Sequence, residues 1–244
     1  MKFAVIGGSG LYKIDELLIT NKIKPKTPYG EISDEIVIGT FAKHEIYFLP
    51  RHGVEHKIPP HKVNYRANIW ALKEAGVEGI IAVNAVGGIA SELKTGNIVI
   101  PEQIIDYTYG REHTFSDGTA ASINHVDFSE PFDQILSKRL IEAVNELDSS
   151  IYHIGGVYGC TQGPRFETAA EIQRLKNDGC TVVGMTAMPE ASLARELSIP
   201  YVGINIVANM APGISDELIT IDDIYRVVEV GNSKILDIIR VMAE

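Results

Sequence analysis

Short runs in which nearly every position is apolar recur along the chain, at 3–8 (FAVIGG), 35–41 (EIVIGTF), 45–50 (EIYFLP), 79–86 (GIIAVNAV), 97–105 (NIVIPEQII), 181–185 (TVVGM) and 200–209 (PYVGINIVAN). Several are apolar at both odd and even positions, so they predict strands of a sheet covered on both faces. Between them, apolar positions recur three and four apart. This spacing predicts helices over 63–76, 131–147, 168–176, 188–198 and 221–243, with Gly76 where a C-terminal capping glycine is expected. Strands alternating with helices argue for an α/β fold: a single domain spanning 1–244, with a central mixed sheet flanked by helices. The segment 106–132 is irregular, polar and aromatic, as expected of a functional loop or subunit contact.

In open α/β sheets, ligands gather beyond the carboxyl ends of strands. The residues that follow the predicted strands are therefore the candidates: Gly7-Gly8-Ser9-Gly10, Arg51-His52-Gly53, Asn84-Ala85-Val86-Gly87-Gly88, Thr186-Ala187-Met188-Pro189-Glu190 and the stretch from Val207 to Gly213. Small, hydroxylated, amide and basic groups converge from five places.

Composition narrows the classes. The 244 residues are 45% hydrophobic, with mean hydropathy +0.05, enough for a substantial core. The formal net charge is −10 and no basic run appears, which argues against nucleic acid and anionic membranes as partners. No apolar run is long enough to span a bilayer, and MKFAVIGGSGL reads as a first strand and turn rather than a signal peptide. The two cysteines, Cys160 and Cys180, lack a CxxC spacing and read as free thiols in a reducing cytoplasm. The seven histidines form no HExxH motif, so no metal is expected, and no GxSxG elbow marks a serine hydrolase.

GGSG is not a dinucleotide fingerprint, because Lys13 stands where the third glycine should be. Its glycines still let backbone amides approach an anion, and Ser9 adds a hydroxyl; the alternative is an ordinary tight turn. Arg51 offers a fork of donors suited to phosphate, or is a surface arginine beside a satisfied histidine. Ser9, Arg51, His52, the Asn84-Ala85 backbone and Thr186 together make a pocket for free phosphate. In GPRFET, Phe166 and Glu167 present an aromatic face and a carboxylate at a loop-to-helix junction. They could equally be a core residue and a helix cap.

The motifs GGSGL, PRHG, PPHKVNYRANIWALKEAG, NAVGG, TQGPRFET, GMTAMPEASLARE and VANMA occur in this order over essentially the whole chain. In this the sequence resembles the purine nucleoside phosphorylase and methylthioadenosine phosphorylase family. The resemblance implies attack of inorganic phosphate on the anomeric carbon of a purine nucleoside, through an oxocarbenium-like transition state, with no covalent nucleophile, metal or cofactor. It implies that Ser9, Arg51, His52, Ala85 and Thr186 hold phosphate, that Met185 lies against the ribose, and that Phe166 packs on the purine. It further implies that Asn209, Glu167 and Thr186 act on the reacting groups, with Met210, Ala211 and Thr220 lining the substrate. His125 resembles a residue lent by a neighbouring subunit, which implies a homotrimer.

Family members that take 6-aminopurines place a small hydroxyl residue where this chain has Glu167, and aspartates at the positions of Asn209 and Ala211. Hypoxanthine carries a carbonyl at O6 and a proton on N1; an asparagine amide can donate to O6 or N7, and a carboxylate can accept from N1–H. The chain therefore reads as an enzyme for 6-oxopurines. A site built around such groups rejects an unmatched edge by roughly 10⁴-fold. No histidine follows His153, whereas members that bind ordinary nucleosides use one there for the 5′-hydroxyl. The stretch with Leu218, Ile219 and Thr220 suits a methylthio group. The expected substrate is 5′-deoxy-5′-methylthioinosine, with inosine/guanosine and methylthioadenosine as alternatives.

Overall fold

The computed structural model describes residues 2–8, 17–116, 118, 123–147, 150–215 and 220–242. Its centre is β5 (Gly79–Gly88), flanked by β1 (Lys2–Gly7) on one side and β11 (Tyr201–Met210) on the other, all parallel. Beyond β1 the sheet continues in parallel to β4 (His44–Pro50), then turns antiparallel through β3 (Ile36–Phe41) and β2 (Leu18–Ile23). Where β1 ends, the same flank of β5 is taken over by β10 (Val182–Gly184), running antiparallel, followed by β9 (Val157–Cys160) and β7 (Gln103–Asp106). On the far side β11 carries β6 (Ile98–Ile100), which pairs with β8 (Tyr152–Ile154). The mixed sheet flanked by helices is the predicted architecture.

The strand side chains alternate between two apolar layers, which is why the sequence runs are apolar at every position. Ala4 and Ile6 face the layer shared with α1 (Tyr65–Glu74) and α4 (Ala187–Glu196); Phe3 and Val5 face α2 (Gln134–Glu146) and α5 (Ile221–Met242). On α5 the buried positions are Ile224, Val228, Gly231, Asn232, Ile235, Ile238 and Ile239, one stripe of a 3.6-residue period. A third, smaller cluster packs α3 (Ala169–Asn177) through Ile172 and Leu175 against Val183 and Ala211.

Two expectations are corrected. The predicted strand 97–105 is two strands, β6 and β7, separated at Pro101, which has no N–H for a ladder and between which the chain changes partners. Glu167 is not a helix cap. Thr168 caps α3 by accepting from the Glu171 amide at 3.1 Å, and Glu171 returns the bond to the Thr168 amide at 2.8 Å, completing a capping box. Glu167 is left outside that exchange.

Candidate active site

The carboxyl ends of β1, β4, β5 and β11 point to one edge of the sheet. β10, antiparallel to β5, brings Met185 and Thr186 back alongside Asn84. A cavity of about 350 Å³ opens there, large enough for a nucleoside and walled by Gly8, Arg51, His52, Ala85, Phe166, Glu167, Met185, Thr186 and Asn209 among others. Eight of the sequence-derived candidates therefore line one cavity: Arg51, His52, Ala85, Phe166, Glu167, Met185, Thr186 and Asn209.

At one end, Arg51 is fully buried. Its Nε and Nη2 donate to the two carboxylate oxygens of Glu190 at 2.7 and 2.8 Å, and Nη1 donates to the Val83 carbonyl at 3.0 Å. Burial alone would lower its pKa; the charge and hydrogen bonds of Glu190 more than reverse that, so the guanidinium stays a cation. Glu190 also accepts from the Tyr201 hydroxyl at 3.0 Å. A guanidinium has five N–H donors, so part of the Arg51 fork remains available to a ligand. Gly8 is required beside it: a Cβ there would lie 2.8 Å from the Val83 carbonyl oxygen and 3.1 Å from Arg51 Nη1.

His52 Nδ1 lies 2.8 Å from the Ile58 carbonyl. A carbonyl only accepts, so the neutral ring carries its proton on Nδ1 and presents Nε2 as an acceptor. Burial, then the Arg51 charge, hold its pKa down at about 3. The Thr186 hydroxyl donates to Asn84 Oδ1 at 2.9 Å, and Asn84 Nδ2 donates to Asn205 Oδ1 at 2.9 Å. Asn84 and Asn205 are register partners on β5 and β11, so this network is fixed by the sheet.

At the other end, Phe166 is 43% exposed, a face turned out of the core rather than into it. Glu167 is buried, with Oε1 accepting from the Thr161 hydroxyl at 2.5 Å. Asn209 lies just past a register shift in β11, between Val207 and Asn209, that leaves Ala208 as an extra residue. Such a bulge re-aims the following side chain. One Asn209 amide hydrogen goes to the Met210 carbonyl at 2.8 Å, leaving a second donor and the amide oxygen. Gly163 (φ +62°) turns the loop against Met185, whose sulfur would be 2.4 Å from a Cβ at that position.

The remaining expected residues lie elsewhere. Ser9, Leu218 and Ile219 fall outside the described residues. Ala211 is buried in the third cluster, and Met210 is half-buried with its sulfur against Gly88. Thr220 is exposed at the start of α5, where its hydroxyl accepts from the Asp223 amide at 3.2 Å. His125 is exposed and does not line the cavity. In place of these, the wall includes Ile58, Pro59 and Pro60, with Ile221, Ile224 and Tyr225 from the first turns of α5. Their i, i+3, i+4 spacing was present in the sequence, where it predicts only a helix. Glu190 stands among the strand-end candidates of the sequence, but its role as the counter-charge of a buried arginine was not assigned there.

The chain matches the Phosphorylase superfamily over residues 2–243. It is 49% identical over 233 residues to a Pseudomonas syringae pv. tomato protein named "Probable S-methyl-5'-thioinosine phosphorylase", covering 96% of this chain and 94% of that one. It is 47% identical over 248 residues to the 6-oxopurine nucleoside phosphorylase of Pyrococcus furiosus, covering 99% and 90%. Its fold superposes on methylthioadenosine phosphorylase from Schistosoma mansoni in complex with adenine with a TM-score of 0.92, at 33% identity, covering 99% of this chain and 90% of that one. Convergent strand ends, a nucleoside-sized cavity beside them and these relatives agree: the chain belongs to the phosphorylase superfamily and is an enzyme of the nucleoside phosphorylase type.

Proposed function

We propose that the protein phosphorolyses a 6-oxopurine nucleoside, preferring 5′-deoxy-5′-methylthioinosine and giving hypoxanthine and 5-methylthioribose 1-phosphate. The observation that carries this is that Glu167 and Asn209 line the same cavity as Phe166. Phe166 packs on the purine, a Glu167 oxygen accepts from N1–H, and the Asn209 amide donates to O6 or N7. An oxygen of phosphate attacks the anomeric carbon as the bond to N9 breaks, and the bonding pair leaves on the purine. The hydrogen bond from Asn209 stabilises that charge as it develops. Phosphate is held by the free part of the Arg51 fork, His52, the Ala85 backbone, Thr186 and Ser9. It is a co-substrate; neither metal nor cofactor enters the reaction.

The 5′ end is assigned to Ile58, Ile221, Ile224 and Tyr225, a mainly apolar wall that suits a methylthio group. The names of the bacterial and archaeal relatives support the oxopurine reading. The hydroxyl of Tyr225 favours a second reading, in which inosine and guanosine are equally good substrates.

Replacing Glu167→Gln tests the base assignment. Turnover of methylthioinosine falls about 100-fold, the scale of losing a hydrogen bond to a charged group in a closed site, while KM for phosphate stays nearly constant. Equal losses in both would contradict the role. We further place the enzyme in the cytoplasm, consistent with two buried free thiols, as a homotrimer in which the exposed His125 reaches a neighbour's cavity. Dilution until the assembly dissociates then abolishes activity; a fully active monomer rules the trimer's role out.

A further inference from the structure

Arg111 lies outside the substrate cavity, yet it is 8% exposed and its donors bind two segments of the site together. Nη2 donates to the carbonyls of Thr161 and Gln162 at 3.2 and 2.8 Å, and Nε to Gln162 Oε1 at 3.0 Å. Nη1 donates to the carbonyls of Met185 and Met188 at 2.9 and 2.6 Å. These bonds use every guanidinium hydrogen. All the acceptors are neutral, and among the described residues no carboxylate pairs with this cation. The Tyr65 ring lies beneath it, 5.7 Å from Cζ. A buried charge of this kind is tolerated only while its hydrogen bonds are met, so it holds both segments in one arrangement. One segment opens the loop to Phe166 and Glu167; the other carries Met185 and Thr186.

Thr161 passes that arrangement on. Its amide donates to the Gly184 carbonyl at 2.8 Å, anchoring it to β10. Its hydroxyl has one hydrogen and two acceptors in range, Glu167 Oε1 at 2.5 Å and the Gly184 carbonyl at 3.3 Å. The shorter, charge-assisted contact takes it. This fixes one carboxylate oxygen of Glu167 and leaves the other for a ligand.

We propose that Arg111 and Thr161 are positioning residues for base specificity: Arg111 registers the base-edge loop against the 185–188 segment, and Thr161 orients the Glu167 carboxylate toward the purine edge. The inference rests on the reading of Glu167 as the partner of purine N1–H. A residue that merely supports the fold would affect all substrates alike. Both act on the 6-oxopurine edge; Thr161, which reaches the site only through Glu167, leaves phosphate untouched.

The test compares kcat/KM for methylthioinosine and methylthioadenosine, together with KM for phosphate, in the wild type and in Arg111→Lys, Thr161→Val, Thr161→Ser and Glu167→Gln. A lysine cannot span both segments, and valine keeps the shape of threonine without its hydroxyl. Arg111→Lys and Thr161→Val each lower the oxopurine-to-aminopurine ratio about tenfold, the scale of a hydrogen bond to a charged group, and Thr161→Val keeps phosphate KM within about threefold. Thr161→Ser restores the ratio, and Thr161→Val adds nothing further in the Glu167→Gln background. An unchanged ratio in Thr161→Val, or equal losses for both nucleosides in Arg111→Lys, overturns the proposal. Should Arg111→Lys fail to fold, the Thr161 variants decide. If Glu167→Gln alone collapses the ratio, only the positioning inference fails; if it too leaves the ratio unchanged, the base-edge reading fails with it.

Discussion

Arg51 and Glu190 meet as a bidentate pair, through Nε and Nη2, in which neither side chain is exposed; Arg165 and Glu171 also meet as a bidentate pair, through the two Nη atoms, with side chains 68% and 42% exposed. The first pair belongs to the end of the cavity proposed to hold phosphate and the second to the loop that carries Phe166 and Glu167. The contrast extends to their surroundings. The proposed phosphate end is a buried lattice, Asn205–Asn84–Thr186 and Val83–Arg51–Glu190–Tyr201, in which sheet register sets the distances. The base end is a loop with an aromatic ring half in solvent and a carboxylate with an oxygen to spare. Phosphate is the co-substrate whichever nucleoside such an enzyme takes, so the end proposed to hold it can be rigid, with most of its donors already engaged. Substrates differ at the base and at C5′, and there the polar groups are left open.

Breaking the two ion pairs separates these regions most strongly. Glu190→Ala leaves a cation buried without a partner and lowers the unfolding free energy by about 3–5 kcal/mol in urea titration. Arg165→Ala is expected to leave the urea midpoint nearly unchanged, because water screens and replaces the exposed pair. Comparable losses would mean that burial does not distinguish the two ends.

His52 sharpens the comparison through pH. The unfolded chain takes up this proton near pH 6.5, whereas the folded site resists it down to about 3. Between those values the unfolded state binds more protons, so stability falls as pH falls, by up to about 1.4 kcal/mol per unit. His52→Gln should remove about one proton from the slope of unfolding free energy between pH 6 and 4. An unchanged slope would assign the acid sensitivity to another group.

The smallest effect is expected at the 5′ wall. If Tyr225 contributes only apolar surface, Tyr225→Phe changes kcat/KM for methylthioinosine by less than about threefold, since no hydrogen bond is lost. A loss of tenfold or more for inosine would show that its hydroxyl serves a 5′-hydroxyl.

The central strands and the helices were legible because their apolar patterns are continuous or periodic. β2 was not, since LITNKI is exposed at nearly every position and its place is set by pairing with β3. β8 and β9 were hidden by their brevity and by Gly155 and Gly156, which turn the chain between them at φ +93° and +97°. At the site, the residues at strand ends were legible because strand ends converge. Arg111, in an irregular loop, was not, and Glu190 was legible as a strand-end residue but not as the partner of Arg51; only tertiary contact assigns the two their partners. The spacing of Ile221, Ile224 and Tyr225 could be read, but not that their stripe runs out from the core into the cavity.

The most direct test is phosphate-dependent release of free base from methylthioinosine, inosine, methylthioadenosine and adenosine in parallel with the wild-type enzyme. Fast cleavage of methylthioinosine, weaker cleavage of inosine and little of either aminopurine is the predicted result. Preference for methylthioadenosine would contradict the assignment of Glu167 and Asn209 to a 6-oxopurine edge.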